Sequence, residues 1–252
     1  MRKNLTSTYI SRSLAQWNVE AFRDEEFGRL FHLTPEQTHG VLHRLASAGI
    51  LRRLANGRYV FVGLGGSPAE AQPFYLGTRL VEPSYVSFWS ALHYYGWTEQ
   101  APRLVLVAST RASGRRRVGS FSFRFVKLRP SRFFGYTAVR DGRLEFPLAE
   151  PEKAIVDSVL LPQAAGGTEL VAGALTESLA TLDVARLEAY AARMGVRSLA
   201  SRLGHLLARS GIDSKILLPR ASSAYVKLDP RGPRRGRYDA RWRVIDNLPE
   251  AP

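Results

Sequence analysis

The chain has 252 residues, 45% of them hydrophobic and 23% charged, with no cysteine and a formal net charge of +14. That length predicts two domains, and that composition belongs to a globular protein rather than a disordered one. The missing thiol excludes a disulfide scaffold, a cysteine–zinc site, an iron–sulfur cluster and a cysteine nucleophile.

No apolar run approaches the roughly 18 residues of a membrane span, and Met1–Ser13 lacks the apolar core of a signal peptide. A cytoplasmic protein with no membrane partner is therefore expected. The positive excess favours a polyanion as partner, nucleic acid first. Only five of the 36 basic residues are lysine, a bias that a GC-rich coding sequence also produces. The excess is +3 over residues 1–72, +7 over 73–150 and +4 over 151–252, so it is spread along the chain.

Leu5–Trp17 predicts a short helix, with Leu5, Tyr9, Leu14 and Trp17 facing a core. A second helix follows Asp24, which suits an N-cap, and Phe27, Leu30 and Phe31 fall at helical spacing. Thr34-Pro35-Glu36-Gln37 predicts a sharp helix start: Thr34 caps, Pro35 is the first helical residue and Gln37 closes a capping box. This helix should run to about Ala48 and stop at Gly49 in the left-handed conformation. Ile50–Leu54 and Arg58–Val62 then read as strands. The Asn56-Gly57 pair between them signals a hairpin. Helix, turn, helix and hairpin in that order predict a winged helix-turn-helix over residues 1–66.

Gly63–Pro73 has the composition of a linker, which we place at residues 67–75, with a larger mixed α/β domain over 76–252. In that domain Ser84–Tyr95 is expected to be helical. Leu104–Ala108, Ser120–Leu128, Gly135–Arg140 and Leu144–Leu148 read as strands. Pro151–Leu161, Glu169–Leu179, Val184–Met194 and Ser198–Ser210 read as helices. Ala224–Leu228 and Arg241–Ile245 are late strands, and Trp89, Trp97 and Trp242 belong to a core. Strands grouped ahead of helices predict an α+β fold rather than a wound parallel sheet.

On the helix after Thr34, the residues Thr38, Val41, Leu42 and Leu45 form one buried stripe. The opposite face carries Glu36, His39, Gly40, His43, Arg44 and Ser47, with Gln37 on its flank. Gln37 suits adenine, Arg44 suits guanine or phosphate, and both histidines and Thr34 can add contacts to DNA. Gly40 costs about 1 kcal/mol relative to alanine inside a helix, and facing outward it lets the backbone approach a groove wall. Arg52, Arg53, Asn56 and Arg58 would present the wing to phosphates or the minor groove. The bland alternative is a solvated helix face.

His39 and His43 also have the spacing of two metal ligands. Gly40 stands where zinc proteases place a glutamate, so no metal is expected. Arg115, Arg116 and Arg117 predict an exposed basic loop, either a further phosphate contact or simply solvated. Arg231, Arg234, Arg235 and Arg237 form a second basic run, in an ordered loop or a mobile arm. Glu150, Glu152, Lys153 and Asp157 invite an acid–base reading. Acidic residues at a helix start and a surface Lys153–Asp157 pair explain them as well. No nucleophile elbow or phosphate-binding glycine loop occurs, so neither an enzyme nor a cofactor is expected.

Tyr85–Gln100, Phe134-Gly135-Tyr136, Ala149–Asp157, Tyr225–Pro230 and Arg241–Asn247 together resemble the AbiEi family of bacterial antitoxins. The resemblance implies a winged helix followed by a larger α/β domain, in a type IV toxin–antitoxin system. Such a protein would repress its own operon by binding inverted repeats in double-stranded DNA, and would counteract a nucleotidyltransferase toxin. The family's recognition helix would fall on Thr34–Ala48 and its wing on Ile50–Val62. The rivals are a stand-alone winged-helix regulator with no toxin partner, an enzyme using Glu150–Asp157, and an RNA- or protein-binding adaptor.

Overall fold

The computed structural model describes residues 5–55, 57–63, 72–99 and 104–249. The chain divides into two compact units. One comprises Met1–Glu82, Val118–Phe121 and Val139–Phe146, the other Pro83–Arg117, Ser122–Ala138 and Pro147–Pro252.

The first unit begins with α1 (Ser7–Gln16), where the Thr6 hydroxyl accepts the Tyr9 N–H at 3.2 Å. A three-residue strand, β1 (Ala21–Arg23), leads directly into α2 (Asp24–Phe31). Asp24 is thus the first helical residue rather than the cap. Arg23 occupies the N-cap position at the end of its strand without a side-chain cap bond, and its N–H donates to Glu26 at 2.8 Å. Helix α3 (Pro35–Ser47) has the expected capping box between Thr34 and Gln37, and Gly49 follows it at φ +71°. Strands β2 (Leu51–Ala55) and β3 (Arg58–Phe61) form the expected hairpin.

β1 was not anticipated, being too short to show a period of two. It pairs antiparallel with β3, giving the sheet order β1-β3-β2. The three helices close over that sheet on Ile10, Leu14, Phe27, Leu42 and Leu45, none of which is exposed. Each such side chain contributes about 1.5–3 kcal/mol by leaving water. Helix α4 (Pro73–Leu80) belongs to the same unit. The last three residues of the expected linker, 73–75, are therefore helical, and residues 67–71 lie outside the described ones.

The second unit holds most of a six-stranded sheet made of β4 (Ser84–Val86), β5 (Val105–Ser109), β6 (Gly114–Val118), β7 (Phe121–Lys127), β8 (Tyr136–Asp141) and β9 (Leu144–Ala149), with Val118–Phe121 and Val139–Phe146 belonging to the first unit. Their order in the sheet is β6-β7-β5-β4-β9-β8. β5 runs parallel to β7 and antiparallel to β4, while β4 is parallel to β9. Where one helix was expected over Ser84–Tyr95, the chain makes β4, turns sharply with Phe88 at φ +56°, and then forms α5 (Phe88–Tyr94). All three β4 residues are buried, so the strand has no alternating pattern to betray it.

Four helices follow: α6 (Pro151–Leu160), α7 (Thr168–Ser178), α8 (Val184–Arg193) and α9 (Arg197–Arg209). A second small sheet joins β10 (Val226–Lys227), β11 (Arg237–Asp239) and β12 (Val244–Asp246) in the order β10-β12-β11. It is fastened to α9 by Trp242, which has no exposed surface and rests on Gly204. The architecture is α+β. Among the described residues no helix is long and apolar enough to cross a membrane.

Candidate nucleic-acid interface

Helix α3 turns its two faces as its sequence dictates. Thr38, Leu42 and Leu45 are buried and Val41 is half-buried, while Glu36, Gln37, His39, Gly40, His43, Arg44 and Ser47 are exposed. A Cβ placed on Gly40 would meet nothing within 4 Å. The middle of the face is therefore open to a close approach.

Its ends are already engaged. The Thr34 hydroxyl accepts the Gln37 N–H at 3.3 Å and donates to Glu36 at 3.1 Å. The Gln37 Oε1 accepts the Thr34 N–H at 3.1 Å, and Arg44 donates to the Leu5 carbonyl at 2.8 Å. The groups left to a partner include the two imidazoles, the remaining N–H groups of Arg44, the Ser47 hydroxyl, the bare backbone at Gly40 and the Gln37 amide N–H. On the α2 side the face borders an open cleft of about 800 Å³ in which Asp24, Glu25 and Glu36 outnumber Arg29. The charge that would meet phosphate is thus not concentrated on α3.

In the hairpin, Arg52 and Arg53 are exposed. Arg58 is not the phosphate contact its position suggested. Its side chain is 17% exposed, pairs with Glu82 at 3.2 Å and donates to the Arg79 carbonyl at 3.0 Å. The cause is the brevity of the hairpin. β3 pairs with β1 as far as Arg23↔Arg58, and Asp24 N–H donates to the Gly57 carbonyl at 2.9 Å. The turn therefore abuts the start of α2. Asn56 lies outside the described residues. Glu82 is also paired with Arg23. Burial opposes its charge, but the hydrogen bonds and charges of Arg23 and Arg58 prevail and hold it below the usual glutamate value.

Arg115, Arg116 and Arg117 are not in a loop. They form β6, at the edge of the six-stranded sheet, with side chains exposed and the Arg116 guanidinium 5.5 Å from the centre of the Phe125 ring. Charged side chains on an edge strand discourage pairing with other chains, so their exposure has a structural explanation too.

The residues of the acid–base reading are occupied in holding the second unit together. Lys153 and Asp157, expected on the surface, have no exposed side-chain area and pair with each other. Lys153 also donates to the Tyr85 hydroxyl at 2.8 Å. Asp157 accepts from Tyr85 at 3.0 Å and from Ser87 at 2.8 Å. Their helix is buried on nearly every side, because residues Glu152 to Val159 all lie inside. Burial pushes the Lys153 ammonium down despite Asp157, and pushes the Tyr85 hydroxyl well up. Glu152 accepts the Asp183 N–H at 3.0 Å, and Glu150 accepts from the Tyr190 hydroxyl at 2.5 Å. That last bond, with burial, raises the tyrosine to about 12.

One polar cluster had no signal in the sequence because its members are far apart along the chain. The two ring nitrogens of His205 face Asp239 at 2.7 Å and Asp246 at 3.2 Å, and Arg209 reaches Asp246 at 3.2 Å. The cluster ties α9 to β11 and β12. Among the described residues no group of three or more histidine, aspartate or glutamate side chains is arranged to hold a metal ion.

No protein-family model matches the chain. No curated protein sequence matches it either. Its structure is similar to the crystal structure of the RV2827C protein from Mycobacterium tuberculosis, with a TM-score of 0.62 and 16% sequence identity over 96% of this chain and 91% of that one. At that identity the likeness is one of fold.

Proposed function

We propose that the protein is a sequence-specific repressor that binds double-stranded DNA, reading inverted repeats in its own promoter as the antitoxin of a type IV toxin–antitoxin pair. The observation that carries this is the face of α3. A capped helix, entered from α2 and left through a hairpin, presents His39, Gly40 and His43 to solvent with nothing above the glycine. The order α1-β1-α2-α3-β2-β3, with the sheet β1-β3-β2, supports a winged helix-turn-helix. The toxin half of the reading rests on the resemblance of the second domain to AbiEi antitoxins. In it the protein is cytoplasmic, has no catalytic activity and needs no cofactor, and its toxin is a nucleotidyltransferase.

The test is a gel shift on the promoter duplex with the wild type and with Gln37→Ala, His39→Ala and His43→Ala combined. We expect at least a tenfold loss of specific affinity, and unchanged binding overturns the assignment of α3 as reader. Three phosphate contacts would lower affinity roughly 40-fold between 50 and 200 mM salt, and a flat response argues against any. Co-expression with a nucleotidyltransferase encoded beside the gene should restore growth if the antitoxin reading holds.

One observation favours a second reading. The acidic side chains Asp24, Glu25 and Glu36 beside α3 suit a basic protein docked on the same face. A chain that ignores duplex DNA of every sequence supports that reading.

A further inference from the structure

The segment Tyr225–Asn247 carries seven lysines and arginines against three aspartates. All three carboxylates are occupied: Asp239 and Asp246 hold His205, and Asp229 accepts the Arg231 N–H at 3.0 Å. Arg231, Arg234, Arg235 and Arg237 are exposed, and none makes an ion pair or side-chain hydrogen bond among the described residues.

The loop that carries them is held by side-chain hydrogen bonds. Asn247 donates to the carbonyls of Asp229 at 3.0 Å and Pro233 at 2.9 Å, and accepts the Asp229 N–H at 2.8 Å. Lys227 donates to the Gly232 carbonyl at 2.7 Å. Gly236, at φ +148°, lies flush against β12, where a Cβ would stand 2.0 Å from the Asp246 carbonyl oxygen. Tied down at these points, the loop presents its guanidinium groups to solvent.

Beside them stands an aromatic ring. Tyr238 is 57% exposed and meets Tyr225 edge to face at 5.1 Å, and the Arg243 guanidinium lies 5.5 Å from the centre of the Tyr225 ring. Arg235, Arg237 and Tyr238 line an open cleft of about 1120 Å³. Arginines that track phosphates, next to a ring on which a base can stack, are the elements of a surface for unpaired nucleotides. In a duplex the faces of the bases are hidden, and Tyr238 would have nothing to stack on.

We infer that this loop and Tyr238, all residues of the second unit, bind single-stranded nucleic acid. The ring carries the base and the four arginines carry the backbone. The site does not depend on the repressor reading.

The full chain is titrated against labelled 12-nucleotide oligo(U) and oligo(dT), and against the promoter duplex, at 100 mM salt. Both single strands should bind. Arg234→Ala, Arg235→Ala and Arg237→Ala combined should weaken them at least tenfold. Tyr238→Ala should weaken them roughly 5- to 100-fold, and Tyr238→Phe should keep most of the affinity. Promoter binding should be unchanged in all of these variants, so a wild type that fails on the promoter but holds the oligonucleotides overturns only the repressor reading. A preference for oligo(U) means RNA is the natural strand, and a preference for oligo(dT) means DNA. The inference is overturned if neither strand binds at tens of micromolar. It is equally overturned if Tyr238→Ala binds like the wild type, or if an acidic peptide competes as well as an oligonucleotide of equal charge.

Discussion

Trp242 lies against the bare backbone of Gly204, so close that a Cβ there would stand 2.1 Å from the indole. Gly204 sits inside a 13-residue helix, where alanine would ordinarily stabilise by about 0.5–1 kcal/mol. Here the methyl group must displace a fully buried ring, a cost of about 1–3 kcal/mol or more. Gly204→Ala should therefore lower the midpoint of urea unfolding, and a raised midpoint would contradict this packing.

Gly40 is the opposite case. With nothing within 4 Å of its missing side chain, Gly40→Ala should stabilise α3 by up to about 1 kcal/mol. If the bare backbone is what approaches a groove wall, the same variant should bind the promoter more weakly while melting at a higher temperature. Stability and affinity moving up together would remove the role given to this glycine.

Lys153 and Asp157 satisfy each other where no water reaches. Asp157→Ala leaves an ammonium uncompensated and should cost about 3–5 kcal/mol, measured by denaturant unfolding. Replacing both, as Lys153→Met with Asp157→Leu, should recover much of that loss. A single variant as stable as the wild type would show that the pair is not sealed.

Acid should loosen both units. Burial opposes the charge on Asp239, but hydrogen bonds from His205 and from the backbone N–H groups of Trp242 and Arg241 prevail and hold it below the usual aspartate range. Glu82 is held low by Arg23 and Arg58. Folded values below unfolded ones mean stability that is present above about pH 4 and lost as the pH falls through the folded values. Asp239→Asn should be less stable at neutral pH and show a shallower decline as the pH falls below about 4. An unchanged slope would detach Asp239 from the effect.

The ends of α3 could be read from four residues, because a capping box and a glycine stop are local chemistry that leaves little to tertiary context. The burial of Lys153 could not. An i,i+4 ion pair looks the same on a surface as in a core, and what decides is Tyr85 and Ser87, about 70 residues away, which supply the remaining hydrogen bonds. β4 was hidden for a related reason, since a strand buried on both faces imitates a helix segment over three residues. Arg58 illustrates a third limit. Its place after the Asn-Gly turn is plain in the sequence, but its partner Glu82 lies beyond the segment that looked like a linker.

The cap at the start of α3 narrows what Gln37 can say to a base pair. Its carbonyl is spent on the Thr34 N–H, so only its NH2 group remains to point outward. The two-pronged grip on adenine, which needs both ends of the amide, is closed to it unless the helix start unravels. A glutamine restricted to giving hydrogens still meets an acceptor at every base pair, adenine N7 and thymine O4 or guanine O6 and N7, so while the cap stands Gln37 can anchor this helix in a major groove but tells the pairs apart poorly.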